Sequence, residues 1–295
     1  MMRSLLFTPA DSPRKLEKAL TSGADAVIVD LEDAIAPDRK NAARTAAAAF
    51  LHEAQTHASR PRLLVRVNGL NTGLIDDDLD AIVAAKPDAI LLPKAEGGAS
   101  VIHADAKLTA REAIAGLPQG HIGIVAQAIE SAAGLFAIGT LKGSSQRLRG
   151  MTWGPEDLSV ELGARANRDD DGELTAPYRL ARSLCLYGAA AAGVQAIETV
   201  YVDFRDTDGL RRDTEMACRD GFTGRLAIHP DQVPIINAVF TPSAEAIAHA
   251  HALVEAFHKA GGAGVVAVDG VMFDQPHLLR AQRLLAQVQT TESSR

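Results

Sequence analysis

The chain has 295 residues, 47% of them hydrophobic, enough to bury one large core. Its formal net charge of −7 is spread along the sequence, which argues against general affinity for nucleic acid or an anionic membrane. The two cysteines, Cys185 and Cys218, stand in unrelated contexts and support neither a disulfide framework nor a thiolate metal site, as expected in a reducing cytoplasm.

Residues Met1–Ala10 lack the apolar core and cleavage site of a secretory signal. No apolar run approaches the ~20 residues that span a bilayer, so the expected location is the cytoplasm. Strand-like and helix-like segments alternate from the start. Leu5–Pro9 reads as a strand, Asp11 or Ser12 as a cap with Pro13 at the first helical position, and Lys15–Ser22 as a helix ended by Gly23. Ala26–Asp30 is an apolar strand leading into Leu31-Glu32-Asp33, and Pro37-Asp38 opens the helix Lys40–Ala54. Leu63–Val67 and Ala89–Leu92 are the next strands, followed by the helices Asp76–Ala85 and Ser100–Ala115 respectively.

The stretch Ile122–Gly134 is the most informative. Its apolar run ends in Glu130, and Ser131 then opens an alanine-rich helical pattern reaching about Leu141. The same grammar returns at Leu148–Trp153, closed by Gly154-Pro155-Glu156-Asp157. A polar loop around Asn167–Glu173 precedes the helix Tyr178–Ala192, then the strand Ala196–Val202, the helix Asp208–Asp220 and the strand Arg225–Ile228 before His229-Pro230. Eight strand–helix units without an antiparallel hairpin signal predict a (β/α)8 TIM barrel over residues 1–240. An open doubly wound sheet is the alternative, but no glycine-rich dinucleotide fingerprint follows any strand.

Residues 241–295 are surplus to such a barrel. Pro242–Glu245 resembles a helix start, Ala246–Ala260 continues at helical period, and Gly261–Gly264 breaks it. Val265–Asp269 is strand-like, Gly270–Asp274 reads as a loop, and Pro276–Val288 as a last amphipathic helix. This hook is expected to dock either on its own barrel or on a neighbouring subunit.

Active sites of α/β barrels lie at the carboxyl ends of the strands. Glu130 and Asp157 fall on two neighbouring strand ends and could share a divalent cation, since Mg²⁺ commonly takes one or two protein carboxylates and fills its octahedron with water and substrate. The competing reading is two acids favoured at helix N-termini by the macrodipole. Glu32 and Asp33 would add negative charge that asks for a cation or an arginine. Arg66, in V-R-V-N, offers a planar fork for a carboxylate or enolate oxygen, or else pairs with Asp30 or Glu32. His229 could line the ligand site or act as a base. Arg3, Arg14 and Lys18 lie where a long anionic ligand could reach, and are equally ordinary surface charges.

Together these segments resemble the citrate lyase β-subunit / malyl-CoA lyase family of CoA-thioester lyases, within the HpcH/HpaI aldolase–citrate lyase superfamily. The likeness runs through R-S-L-L-F-T-P-A-D-S-P-R-K, V-D-L-E-D-A-I-A-P-D-R-K, L-V-R-V-N, L-L-P-K, I-E-S-A-A-G, W-G-P-E-D-L, Y-V-D-F-R-D, A-I-H-P-D-Q and D-G-V-M-F-D-Q-P-H. It implies Glu130 and Asp157 as Mg²⁺ ligands, Arg66 on the keto acid or its enolate, and Glu32 and Asp33 organising metal-bound water. It further implies Arg14 and Lys18 at the CoA phosphates. Asp274 is implied as an acid/base delivered by an adjacent subunit, where Phe273 departs mildly from the family's M-I-D or M-V-D. The implied assembly is a homotrimer or hexamer. The implied reaction is cleavage of citryl-, malyl- or citramalyl-CoA to an acyl-CoA and a 2-oxo acid. A malyl-CoA thioesterase, or a citrate lyase subunit working on an acyl-carrier thioester, is the alternative.

Overall fold

The apolar runs pair in chain order. In the computed structural model, which describes residues 1–261, 264–268 and 270–292, they form a closed barrel of eight strands. These are β1 (Ser4–Pro9), β2 (Ala26–Asp30), β3 (Arg62–Arg66), β4 (Ala89–Leu92), β5 (Gly123–Ile129), β6 (Leu148–Trp153), β7 (Gln195–Glu198) and β8 (Gly224–Ala227). Every neighbouring pair is parallel, including β8 against β1. The helices between them are α1 (Pro13–Leu20), α2 (Lys40–Ala54), α3 (Ile75–Ile82), α4 (Gly98–Ile114), α5 (Ala132–Ala137), α6 (Pro155–Leu162), α7 (Ala176–Ala192), α8 (Thr207–Asp220) and α9 (Gln232–Phe240). The TIM barrel expected from the alternation is therefore the fold of the chain.

Strands β2, β4, β5 and β8 are buried along their whole length, which is why they read as unbroken apolar runs. Within them the period of two still sorts side chains. Leu5, Ala26, Ile28, Leu64, Ala89, Leu91, Val125, Ile197 and Leu226 form one cluster inside the barrel, with Phe7 packed against it. Continuing the same alternation toward the carboxyl ends brings Asp30 after Ile28, Arg66 after Leu64 and Gln127 after Val125. The barrel's packed interior thus gives way to polar groups at one mouth.

Buried charge on the opposite side of the strands is internally paired. Arg147 donates to Asp105 and to both oxygens of Glu112, and Glu112 also accepts from the backbone N–H groups of Gly120 and Ile122. Such a network holds strand β6 without leaving a group for chemistry.

Two helices went unpredicted. Helix α6 starts at Pro155 and buries only Pro155 and Leu158, too narrow a stripe to signal itself. Helix α9 carries Pro234 in its first turn, where the missing N–H is no loss although proline reads as a breaker. The seventh strand stops at Glu198 instead of continuing to Val202.

The chain divides into two compact units, Met2–Asn237 and a second made of Met1 with residues 238–295. The latter contains α10 (Ala244–Lys259), β9 (Val265–Val268), β10 (Val271–Asp274) and α11 (Gln275–Glu292). Ser243 caps α10, its hydroxyl accepting from the Ala246 N–H. Here one expectation is corrected: Val271–Asp274 is a strand and not a loop, antiparallel to β9 with Val271 opposite Val268. The Asp269-Gly270 dipeptide between two short apolar runs is the signal for such a hairpin, and Gly270 takes a φ of +78° that the turn demands. Ala250, Leu253, Phe257, Val266 and Ala281 form this unit's own small core. Residues 262, 263 and 269, parts of the expected breaker and strand, lie outside the described residues. Among the described residues no helix is long and apolar enough to cross a membrane.

Candidate active site

The polar ends of the inward stripes wall a cavity of about 690 Å³. Asp30, Arg66 and Gln127 contribute from the strands, Lys15 and Lys18 from α1, and Asp33, Asp157, Thr199 and His229 from the strand-to-helix connections and first helical turns.

Arg66 is clamped before any ligand arrives. Its Nε donates to Asp30 Oδ1 at 2.8 Å and its Nη2 to Asp30 Oδ2 at 2.6 Å, while Nη1 lies 3.0 Å from Glu32 Oε2. Asp30 and Arg66 are partners in the β2–β3 register, so the two-point pair follows from strand pairing itself. The Phe7 ring packs 4.8 Å from the guanidinium carbon. Burial works against its charge, but the hydrogen bonds and charge of Asp30 outweigh it and raise the Arg66 pKa. The pairing with Asp30 and Glu32 offered by the sequence is present, and Arg66 lines the cavity as well. Two of the five guanidinium N–H groups go to Asp30, and the fork keeps further donors for a ligand.

Glu130 is buried at the end of β5, before the Ser131 cap of α5, whose hydroxyl accepts from the Gly134 N–H. Glu130 Oε2 accepts the Lys94 backbone N–H at 2.6 Å, and Oε1 accepts from Gln127 Nε2 at 2.5 Å. Burial, reinforced by the charges of Asp157 and Glu32 and opposed by the Lys94 N–H bond, pushes its pKa up to about 8. Asp157 lies in the first turn of α6, as the helix-terminus reading expects, and faces the same cavity. The intervening Gly154 is required: a Cβ there would sit 2.8 Å from Glu130 Cγ and Oε1.

Glu32 is buried and Asp33 exposed, with Asp33 on the cavity wall. Burial raises the Glu32 pKa, against the pull of Arg66 and Lys94. Lys94 is the residue that sequence reasoning left without a role. Its Nζ lies 2.9 Å from Glu32 Oε1, 3.5 Å from Asp157 Oδ1 and 3.9 Å from Asp33 Oδ1. The available signal was a lysine after proline at the end of an apolar strand, in L-L-P-K.

On the other side of the mouth, α1 turns Lys15 and Lys18 to the cavity, while Arg14 is exposed and not part of its wall. Lys15 was not among the expected residues; it shares a helix face with Lys18 at a spacing of three. His229 lines the cavity and stacks on Phe204, ring centroids 4.8 Å apart. Asp274 belongs to the C-terminal unit, is exposed, and contacts His277 Nδ1 at 2.5 Å through Oδ1. The His277 hydrogen bond holds the Asp274 carboxyl below its ordinary pKa.

Among the described residues no three His, Cys, Asp or Glu side chains converge as a closed metal cage. The donor set instead suits a hard cation needing few protein ligands. Glu130 is a buried carboxylate whose charge lacks a full counterweight, Asp157 stands near it, and the buried Gln127 Oε1 has no hydrogen-bond partner. These groups fit Mg²⁺ better than Zn²⁺, which favours nitrogen and sulfur.

Comparison with known proteins agrees. The model of the HpcH/HpaI aldolase/citrate lyase family matches residues 3–230. A citrate lyase subunit beta of Leuconostoc mesenteroides subsp. cremoris is 33% identical over 97% of this chain and 92% of its own length. A (3S)-malyl-CoA thioesterase of Cereibacter sphaeroides is 38% identical over 99% and 96%. The crystal structure of CitE from Mycobacterium tuberculosis in complex with magnesium, acetoacetate and coenzyme A aligns with a TM-score of 0.77, at 32% identity over 96% of each chain. The chain belongs to the HpcH/HpaI aldolase/citrate lyase family.

Proposed function

We propose that this chain is a Mg²⁺-dependent carbon–carbon lyase that cleaves a 3-hydroxy-3-carboxyacyl-CoA thioester to an acyl-CoA and a 2-oxo acid. The observation that carries the reading is the buried Glu130, raised to a pKa of about 8, near Asp157 and beside a cavity in which Arg66 is already held by Asp30. The magnesium and coenzyme A bound by the CitE neighbour support both the ion and the thioester.

Glu130 and Asp157 would hold the ion, which when bound supplies Lewis acidity toward the substrate's hydroxyl and carboxylate oxygens. Arg66 fixes the departing enolate or the keto acid, its fork pre-oriented by Asp30 so that no side chain must reorganise as charge develops. Glu32 and Asp33 orient water at the mouth. Lys15 and Lys18, with Arg14 behind them, face the phosphates of CoA, and His229 lines the thioester side. In cleavage the Asp274 carboxylate of a second copy takes the hydroxyl proton, the O–H electron pair forms the ketone of the 2-oxo acid, and the electron pair of the broken carbon–carbon bond passes to the thioester enolate. Asp274 of a second copy then gives the proton that makes the acyl-CoA methyl group.

That last assignment needs at least a second copy, and the family resemblance makes a homotrimer or hexamer the assembly we propose. Mixing Asp274→Ala with Glu130→Ala protein, each inactive alone, is expected to restore partial activity after subunit exchange. No recovery in verified mixed oligomers would place Asp274 outside the active site.

The relative named as a malyl-CoA thioesterase, at 38% identity, favours a second reading in which the same cavity releases free CoA. Assay of citryl-, malyl- and citramalyl-CoA with Mg²⁺ and with chelator separates the two. Metal-dependent 2-oxo acid without free thiol is the expected outcome, and free thiol without oxo acid would replace the lyase by the thioesterase. Silence on all three free esters would move the substrate to an acyl-carrier thioester, the setting suggested by the citrate lyase subunit.

A further inference from the structure

Lys94 follows β4 with a φ of +49°, in the left-handed region that a lysine rarely adopts. The other described non-glycine residue there, Lys86, caps a short helical turn after α3, an ordinary place for it. At Lys94 the turn aims both ends of one residue into the mouth. Its backbone N–H donates to Glu130 Oε2 at 2.6 Å, and its ammonium group is shared by Glu32, Asp157 and Asp33 at 2.9, 3.5 and 3.9 Å. One residue thereby touches four carboxylates. Backbone held out of its preferred region at a cluster of functional groups is often tied to their task.

Charge explains the arrangement. Asp30, Glu32, Asp33, Glu130 and Asp157 crowd one mouth, and Arg66 is committed to Asp30 and Glu32. A cation taken by Asp157 would sit ~2 Å from its oxygen. The ammonium is already 3.5 Å from that oxygen, so the two positive charges would lie within a few ångströms of each other and repel. The lysine stem is flexible enough to let the ammonium withdraw, whereas the backbone bond to Glu130 stays in place wherever it goes.

Resting on the metal reading above, we infer that Lys94 is an internal counter-ion. Its ammonium group bridges Asp157 and Glu32 when no divalent cation is bound and withdraws toward Glu32 and Asp33 when one arrives. Lys94 is then a positioning residue: it keeps the acidic mouth folded without metal and holds metal affinity down to an exchangeable level.

The test titrates full-length protein with Mn²⁺, following free Mn²⁺ by electron paramagnetic resonance, and measures melting temperature in chelator. Lys94→Gln keeps the backbone N–H and removes the charge. It is expected to bind Mn²⁺ about tenfold more tightly than wild type and to melt lower in chelator. Unchanged or weaker Mn²⁺ binding by folded Lys94→Gln would overturn the proposal, as would wild-type melting in chelator. Lys94→Arg retains the charge and should bind Mn²⁺ within about twofold of wild type; a tenfold change there would also overturn it, even if Lys94→Gln does not fold. Glu130→Gln separates the two layers of argument. Retained Mn²⁺ binding in Glu130→Gln would sink the metal site itself, whereas its loss alongside unchanged binding in Lys94→Gln would sink only the counter-ion.

Discussion

Replacing Arg66 with methionine is expected to lower kcat/KM by about 10³-fold, the scale of losing a fixed charged donor at a developing oxyanion. It should also destabilise the protein by about 3–5 kcal/mol, because Asp30 is buried and would lose its two-point partner. These effects have different origins and can be separated. In the double variant Arg66→Met/Asp30→Asn the stranded charge is gone, so the melting temperature should return most of the way to wild type. Activity should not. If turnover recovers together with stability, Arg66 serves only to neutralise Asp30, and the catalytic assignment falls.

The second large effect has opposite signs in two measurements on one variant. Glu130→Gln should abolish Mg²⁺ binding and activity, yet stabilise the metal-free protein above neutral pH. The folded carboxyl is raised to about 8 from an ordinary 4.5, so between those values the native state holds a proton that the unfolded chain has released. The stability this proton provides is complete below the unfolded pKa and is lost as pH rises through the folded one. By pH 8 the loss amounts to roughly 3–5 kcal/mol. Thermal melts in chelator from pH 5 to 8 should therefore fall more steeply for wild type than for Glu130→Gln, and Mg²⁺ should restore only the wild type. Parallel curves would mean that Glu130 is ionised throughout and that its neighbours already compensate its buried charge.

Much of this architecture was legible because it is written in local patterns. The ranges of β2, β4, β6 and α2 follow directly from apolar runs bounded by turn residues, and Ser131 and Ser243 announce their helices as caps. What escaped was decided by tertiary context. Helix α6 is mostly exposed, α9 carries a proline that only its position makes harmless, and β10 needed β9 beside it. The site divides the same way. Glu130, Asp157, Arg66, Glu32 and Asp33 could be picked out as candidates because the active sites of such barrels lie at strand ends. Lys94 could not, since its importance lies in reaching residues from three other connections at once. Lys15 was passed over for Arg14 because the helix phase relative to the cavity is not set by sequence spacing alone.

Asp30 and Arg66 stand opposite each other in the same ladder whose earlier rungs, Ile28 and Leu64, fill the barrel. A slip of one residue in β2 would turn Ile28 and Asp30 outward together and bring Val27 and Val29 in. The misregistered barrel would lose its packing and strand Arg66 in the same event. Misfolding here cannot yield an enzyme with altered specificity, only an inactive one. Any screen for turnover on this scaffold is therefore also a screen for correct strand registration, and insertions that keep activity should map to the loops and never to β2 or β3.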